Sequence, residues 1–401
     1  MPDRSLQEVR IGGFFTAREA LRHRDLRQGL YDEGAILMEN VIVNLHGRAH
    51  TARRRLENRL FRRETFHHWE DELIPRSIET SLIAHATDGR VDLLEVARDT
   101  MMRIAADIAG IDLGDSPERF VQLRSIMSDL ALASTVRHYI GDKAAVAARG
   151  EAALNLFDRI FFAEACARRR LIIDDIQQGR APIEALPRDV LSTLLMNQDN
   201  LDLPLHDIRR EVAYFPWVGS HSTSTAFVYL MDHVFEWLET RPAQRPNLCG
   251  NLARLQQFSF ESLRLHPASP FAERVALQDI TLPDQTYIPE GSRVIIEMQV
   301  ANRDPSVFGI DCNEFNPGRS LPPDVPAWGL SFGTGFHACL GQEVAAGTEP
   351  DDGTEVHLYG AIATIAQHLL RVGARRVPDE PAERDEASVR RHFRKYPVSL
   401  S

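Results

Sequence analysis

SFGTGFHACLG, Ser331 to Gly341, sets one cysteine in a run of glycines and aromatics, with a histidine two places before it. Gly333, Gly335 and Gly341 bracket Cys339, and a residue without a Cβ permits turns and close approaches that other side chains block. The backbone here is open to something bulky and flat. On residue chemistry alone Cys339 has several readings. A packed thiol needs no such loop, a nucleophile needs a base and an orienting group beside it, and a zinc ligand or a bond to a larger cofactor complete the set. His337 is close in sequence, yet that spacing does not turn its ring toward the sulfur.

The rest of the chain narrows the choice. With 401 residues and 43% hydrophobic composition it can bury a large core without disulfide staples. A net charge of −11 argues against a general nucleic-acid binder. Charge is uneven, however: TARRRLENRLFRRE (Thr51 to Glu64) is strongly basic and TEPDDGTE (Thr348 to Glu355) is acidic. Cys166, Cys249, Cys312 and Cys339 are scattered without CxxC spacing, which points away from a disulfide framework or structural zinc and toward a reducing cytoplasm. MPDRSLQEVRIGG has no apolar core of signal-peptide length, and no stretch approaches a membrane span, so neither secretion nor membrane anchoring is expected.

No internal repeat or long linker divides the chain, and residues 1–401 are expected to form a single domain. Helical periodicity dominates from Thr51 to Arg264. VDLLEVARDTMMRIAADIAG places Leu93, Leu94, Ala97, Met101, Ile104 and Ile108 on one stripe; EAALNLFDRIFFAEACARRRLIIDDIQQG and FVYLMDHVFEWLET behave alike. After Pro267, short alternating runs with Pro and Gly turn signals predict a small β region. Helix resumes after Gly341, and GTEPDDGTE (Gly347 to Glu355) predicts that it stops early. The expected fold class is mainly α with a small β region.

The cysteine loop also matches, at every fixed position, the haem-binding signature F-x-x-G-x-H-x-C-x-G of the cytochrome P-450 family: Phe332, Gly335, His337, Cys339 and Gly341. Through that resemblance Cys339 is expected to be the proximal thiolate on the iron of haem b, iron protoporphyrin IX, a ligand that favours cleavage of the dioxygen bond. Phe332 would pack beside the sulfur and Gly341 would let the next helix start close to the porphyrin. Other segments resemble the family in order. ESLRLHP supplies Glu261 and Arg264, a pair the family buries and joins to an arginine of an F-x-P-x-R segment, here Phe315, Pro317 and Arg319. HTARRRL resembles the helix that offers His50 and Arg54, at i and i+4, to the haem propionates, with Arg274 and His337 as further partners. The resemblance runs from about Val9 to the C-terminus.

Three departures stand out. The early strand and helix of VRIGGFFTAREALRHRDLR lie almost at the N-terminus, so the family's usual preceding helix and strand are expected to be missing. Where the family reads A-G-x-(D/E)-T over the distal haem face, this chain reads VGSHST: Val218, Gly219, Ser220, His221, Ser222. Ser222 is a hydroxyl in place of threonine and His221 a titratable group in place of the acid, which makes both candidate proton carriers; the alternative turns His221 into the helix bundle. Pro216 is expected to kink that helix. The third departure is the acidic interruption after Gly347.

The resemblance thus implies a soluble haem-thiolate monooxygenase of secondary metabolism. It would use dioxygen and electrons from a ferredoxin or similar carrier to hydroxylate a lipophilic or aromatic small molecule, with the basic face at Arg53, Arg54 and Arg55 meeting an acidic donor. Val218, Gly219, Ala268, Ser269 and Phe271 are the expected substrate-pocket residues. Two alternatives remain: oxidative cyclisation, coupling or peroxide-driven oxidation by an altered distal site, and a non-catalytic haem-binding protein.

Overall fold

The computed structural model describes residues 7–61, 63–114, 116–349, 357–386, 390 and 392–400 of the chain. Helix dominates them, and the strands form one four-stranded sheet and three smaller ones, the expected mainly helical fold with a small β region. In the four-stranded sheet Ala272–Ala276 pairs antiparallel with both Leu26–Gln28 and Arg293–Ile296, and Glu8–Ile11 closes the far edge parallel to Arg293–Ile296. This register sets Arg274 opposite Gln28 and Val294, where its side chain is buried.

The centre of the molecule is the helix Leu205–Thr240, hereafter the long helix. At 1.5 Å per residue it is about 54 Å long. Its packing partner is the helix Leu93–Ala109, begun by an Asp92 side chain that accepts from Leu94 N and ended at Gly110 with φ 86°. Gly219 lets the two approach, because a Cβ on it would stand 3.1 Å from the Ala105 Cβ. Pro216 does not divide the long helix, which continues as one element to Thr240. The proline costs the Val212 carbonyl its helical partner, and one turn later Ser220 Oγ donates to the Pro216 carbonyl at 2.5 Å.

The helix Leu252–Leu265 carries the expected buried ion pair. Arg264 Nε and Nη2 each donate to Glu261 at 2.7 Å, Arg264 Nη1 reaches the carbonyls of Asn302 and Cys312, and Arg319 Nε joins Glu261 at 3.2 Å. This ties the helix to the segment that leads into the cysteine loop.

After the loop comes the short helix Gln342–Ala346, stopped by Gly347 at φ 76°, and then the helix Ala361–Arg371. Gln256 Nε2 donates to the carbonyls of Ala346, Thr348 and Leu358, clamping the two ends of the interruption together. The early stop read from the sequence is present; the acidic residues 350–356 lie outside the described residues. The apolar run Glu151–Gly179 forms two helices, Lys143–Phe157 and Ala163–Gln177, joined by the wider turn Asp158–Phe162.

Candidate active site

Between the long helix and the cysteine loop lies a cavity of about 300 Å³. The loop is closed by a hydrogen bond from Cys339 N to the Phe332 carbonyl, 2.8 Å, and Phe332 packs edge-on against Trp328. Gly335 has to be glycine: its φ is 72°, and a Cβ would meet the Arg22 Cα at 3.0 Å. Gly341 is different. A Cβ there would meet nothing within 4 Å, and the residue itself lines the cavity.

The Cys339 thiol sits deep in the molecule, and the surface it exposes is cavity surface. Desolvation pushes its pKa up, opposed by the Gly341 N–H and by the charge of Arg54. A bound metal cation would overcome that desolvation and hold the sulfur as thiolate.

His50, Arg54, Arg274 and His337 line the same cavity. The His50 and His337 rings lie 4.3 Å apart, and desolvation lowers their pKa values to about 4 and about 3, so both are neutral imidazoles at physiological pH. Arg274 donates to Gln28 Oε1 at 2.8 Å and to the Glu273 carbonyl, and desolvation lowers it to about 10. Among the described residues neither Arg54 nor Arg274 meets a carboxylate. Arg274 is buried and Arg54 half-buried, and guanidinium groups held out of water without an ion-pair partner are costly, so this wall suits an anionic ligand. A flat group carrying two carboxylates and a thiolate-seeking metal fits the residues present.

The opposite wall is the long helix and its partner. Val218, Gly219 and Ser222 are on it, and Ala268, Ser269 and Phe271 line a second side. Ser222 Oγ donates to the Val218 carbonyl at 2.7 Å, a bond it must release before donating elsewhere, while its lone pairs stay free to accept. His221 does not reach the wall. Its Nδ1 donates to the Trp217 carbonyl at 3.1 Å, and desolvation, aided by the Arg98 charge, lowers its pKa to about 3.

Some readings need correction. Arg53 is not on a basic docking face: it is 3% exposed and donates to Glu211 at 2.7 Å, while Arg55 is exposed. Sequence reasoning also missed Tyr31, Tyr214, Met101 and Ile104 on the cavity wall. Met101 and Ile104 belong to the apolar stripe of Leu93–Ala109, and nothing in a helical stripe separates core from cavity. Tyr214 has the same phase on the long helix as Val218.

A protein-family model described as Cytochrome P450 matches residues 247–347, from the helix with the Glu261–Arg264 pair through the cysteine loop. Over these residues the chain is similar to the cytochrome P450 family. A relative described as a self-sufficient cytochrome P450 monooxygenase, CYP505E3 of Phanerodontia chrysosporium, is 32% identical over 199 residues, 43% of this chain and 18% of that protein. The chain thus spans well under half the length of the curated relatives it matches. The crystal structure of CalO2 matches with TM-score 0.73 at 17% identity, over 98% of this chain and 90% of that one. CYP109E1 from Bacillus megaterium, solved in complex with corticosterone, matches with TM-score 0.71 at 17% identity, covering 98% and 92%. These likenesses establish the P450 fold for the described chain. Among its described helices none is long and apolar enough to cross a membrane.

Proposed function

We propose that this chain binds haem b through Cys339 and acts as a monooxygenase on an apolar small molecule, with dioxygen as oxidant and electrons from an acidic ferredoxin-like carrier. The observation that carries it is one cavity in which a cysteine thiol faces an apolar roof while two carboxylate-free arginines occupy an edge. When bound, a thiolate-ligated haem supplies dioxygen binding and cleavage of the oxygen–oxygen bond.

The chain's residues do the rest. Arg54, Arg274, His50 and His337 hold the two carboxylates, and Gly341 N–H steadies the sulfur. Val218, Phe271, Ile104 and Tyr214 exclude water and orient an apolar substrate. Ser222 keeps a hydroxyl proton at the wall and is the proposed proton carrier, with His221, neutral behind it, fixing the helix backbone at Trp217. The exposed Arg48, Arg55 and Arg59 on and beside the helix Gly47–Glu57 are the proposed face for the acidic electron donor. That CYP109E1 holds corticosterone supports an apolar substrate class.

The deciding experiment is the spectrum of the reduced, carbon monoxide-treated protein. The thiolate-type Soret shift is expected, and Cys339→Ser should abolish it; a wild-type protein without it would overturn the reading. A second reading, peroxide-driven oxidation, is favoured by one observation: among the described residues lining the cavity none carries a carboxylate. Turnover with hydrogen peroxide that exceeds turnover with dioxygen and any electron donor would select it.

A further inference from the structure

The segment Pro267–Ala272 carries four of the cavity's lining residues, Ala268, Ser269, Phe271 and Ala272, but it has no regular secondary structure of its own before Ala272. Something outside the cavity must hold it. Gln299 N donates to the Pro270 carbonyl at 2.9 Å, and the Ala268 carbonyl accepts from His392 Nε2 at 3.0 Å. That bond fixes the tautomer: Nε2 carries the hydrogen and Nδ1 is the acceptor.

His392 immediately precedes the strand Phe393–Lys395, which pairs with Glu383–Arg384 as a C-terminal hairpin. Its Nδ1 lies 3.5 Å from the Tyr229 hydroxyl, which accepts from Arg384 Nη1 at 2.8 Å. Tyr229 belongs to the long helix, and its ring stacks on His266, centroids 4.3 Å apart and 5° from parallel, directly before Pro267. Three separate elements therefore meet at one small polar cluster: the hairpin, the long helix and the segment that walls the cavity. The contact between His392 and Ala268 is the one that reaches a lining residue.

We infer that His392 is a positioning residue for substrate selectivity: through its Nε2–H bond to the Ala268 carbonyl it fixes the Ala268–Phe271 wall of the cavity. The inference rests on the reading of that cavity as the substrate chamber. His392 touches neither the cavity nor the cysteine loop. Its loss should therefore change which ligands fit while leaving the thiolate chemistry as it is.

The test compares wild type, His392→Phe, which keeps a ring and loses the donor, and His392→Asn, which keeps a side-chain N–H. All three should show the thiolate-type Soret shift with carbon monoxide, which checks the underlying reading separately. Amide hydrogen exchange of Ser269, Phe271 and Ala272 should quicken in His392→Phe and be largely restored in His392→Asn, a readout that does not depend on haem. Spectral titration with imidazole, too small to touch the wall, should be unchanged. Titration with 4-phenylimidazole, whose ring reaches past the metal toward the wall, should weaken about fivefold in His392→Phe, the order expected for one hydrogen bond. Unchanged exchange, or equal effects on both probes, would overturn the inference.

Discussion

Arg264 has no exposed surface, and its guanidinium is saturated by Glu261 and by backbone carbonyls from the segment 302–312. Removing one partner of such a pair strands the other charge in a low-dielectric interior, so Arg264→Ala should cost about 3–5 kcal/mol, measured by urea unfolding. Glu57 presents the reverse case. It is 0% exposed, neither of its carboxylate oxygens has a hydrogen-bond partner, and desolvation, then Glu211, drives its pKa well up. Native Glu57 keeps a proton that the unfolded chain releases above its ordinary range, so its burial costs more stability as pH rises from 4.5 toward the native value. Glu57→Gln should therefore raise the melting temperature, and by more at pH 8 than at pH 6; an equal gain at both would refute the assignment. The two glutamates differ in legibility. Glu261 shares a recognisable spacing with Arg264, whereas the Glu57–Glu211 pair joins helices far apart in sequence, which no local pattern reports.

Among elements, the interrupted helix after the cysteine loop shows how far punctuation can be read. Gly347 and Pro350 announce a stop, and the helix does end at Ala346. The device that makes the stop rigid is Gln256, a residue of ordinary appearance about one turn into the helix Leu252–Leu265. Gly347→Ala is expected to destabilise by several kcal/mol, because φ is 76° and the new Cβ would stand 2.1 Å from the Leu358 carbonyl oxygen. Gln256→Leu should cost about 1–3 kcal/mol, since it leaves buried carbonyls short of a donor; thermal unfolding measures both. The long helix was less legible. Its proline sits inside one helical element that runs on to Thr240, and Gly219 proves to admit the neighbouring helix at Ala105 as well as to line the cavity.

Taken whole, the molecule has buried several imidazoles in their neutral form. Desolvation is the leading cause for His221, His233, His266 and His392, with pKa values lowered to about 3, 4, 3 and 4. Unfolded histidine binds a proton near pH 6.5, so below that pH the unfolded chain binds protons the native state refuses, and stability falls as pH falls. At pH 5.5 each should cost on the order of 1 kcal/mol relative to pH 7.5. The urea midpoint should drop accordingly, and His233→Gln should remove its share; a flat profile would contradict the burial. The helical mass, the β region and the cysteine loop were readable because periodicity and spacing are local, while the cavity wall was not, because membership depends on which stripes face inward together. One consequence concerns chain length. Thr348 N donates to the Leu358 carbonyl at 2.9 Å, and Leu358 N reaches back to Thr348 Oγ1, so the strand of chain between them departs from and returns to a single point. Loop entropy grows only logarithmically, about 0.6 kcal/mol per doubling. That point is therefore a natural graft site: a peptide tag or a small folded reporter spliced between 350 and 356 should leave the carbon monoxide signature intact.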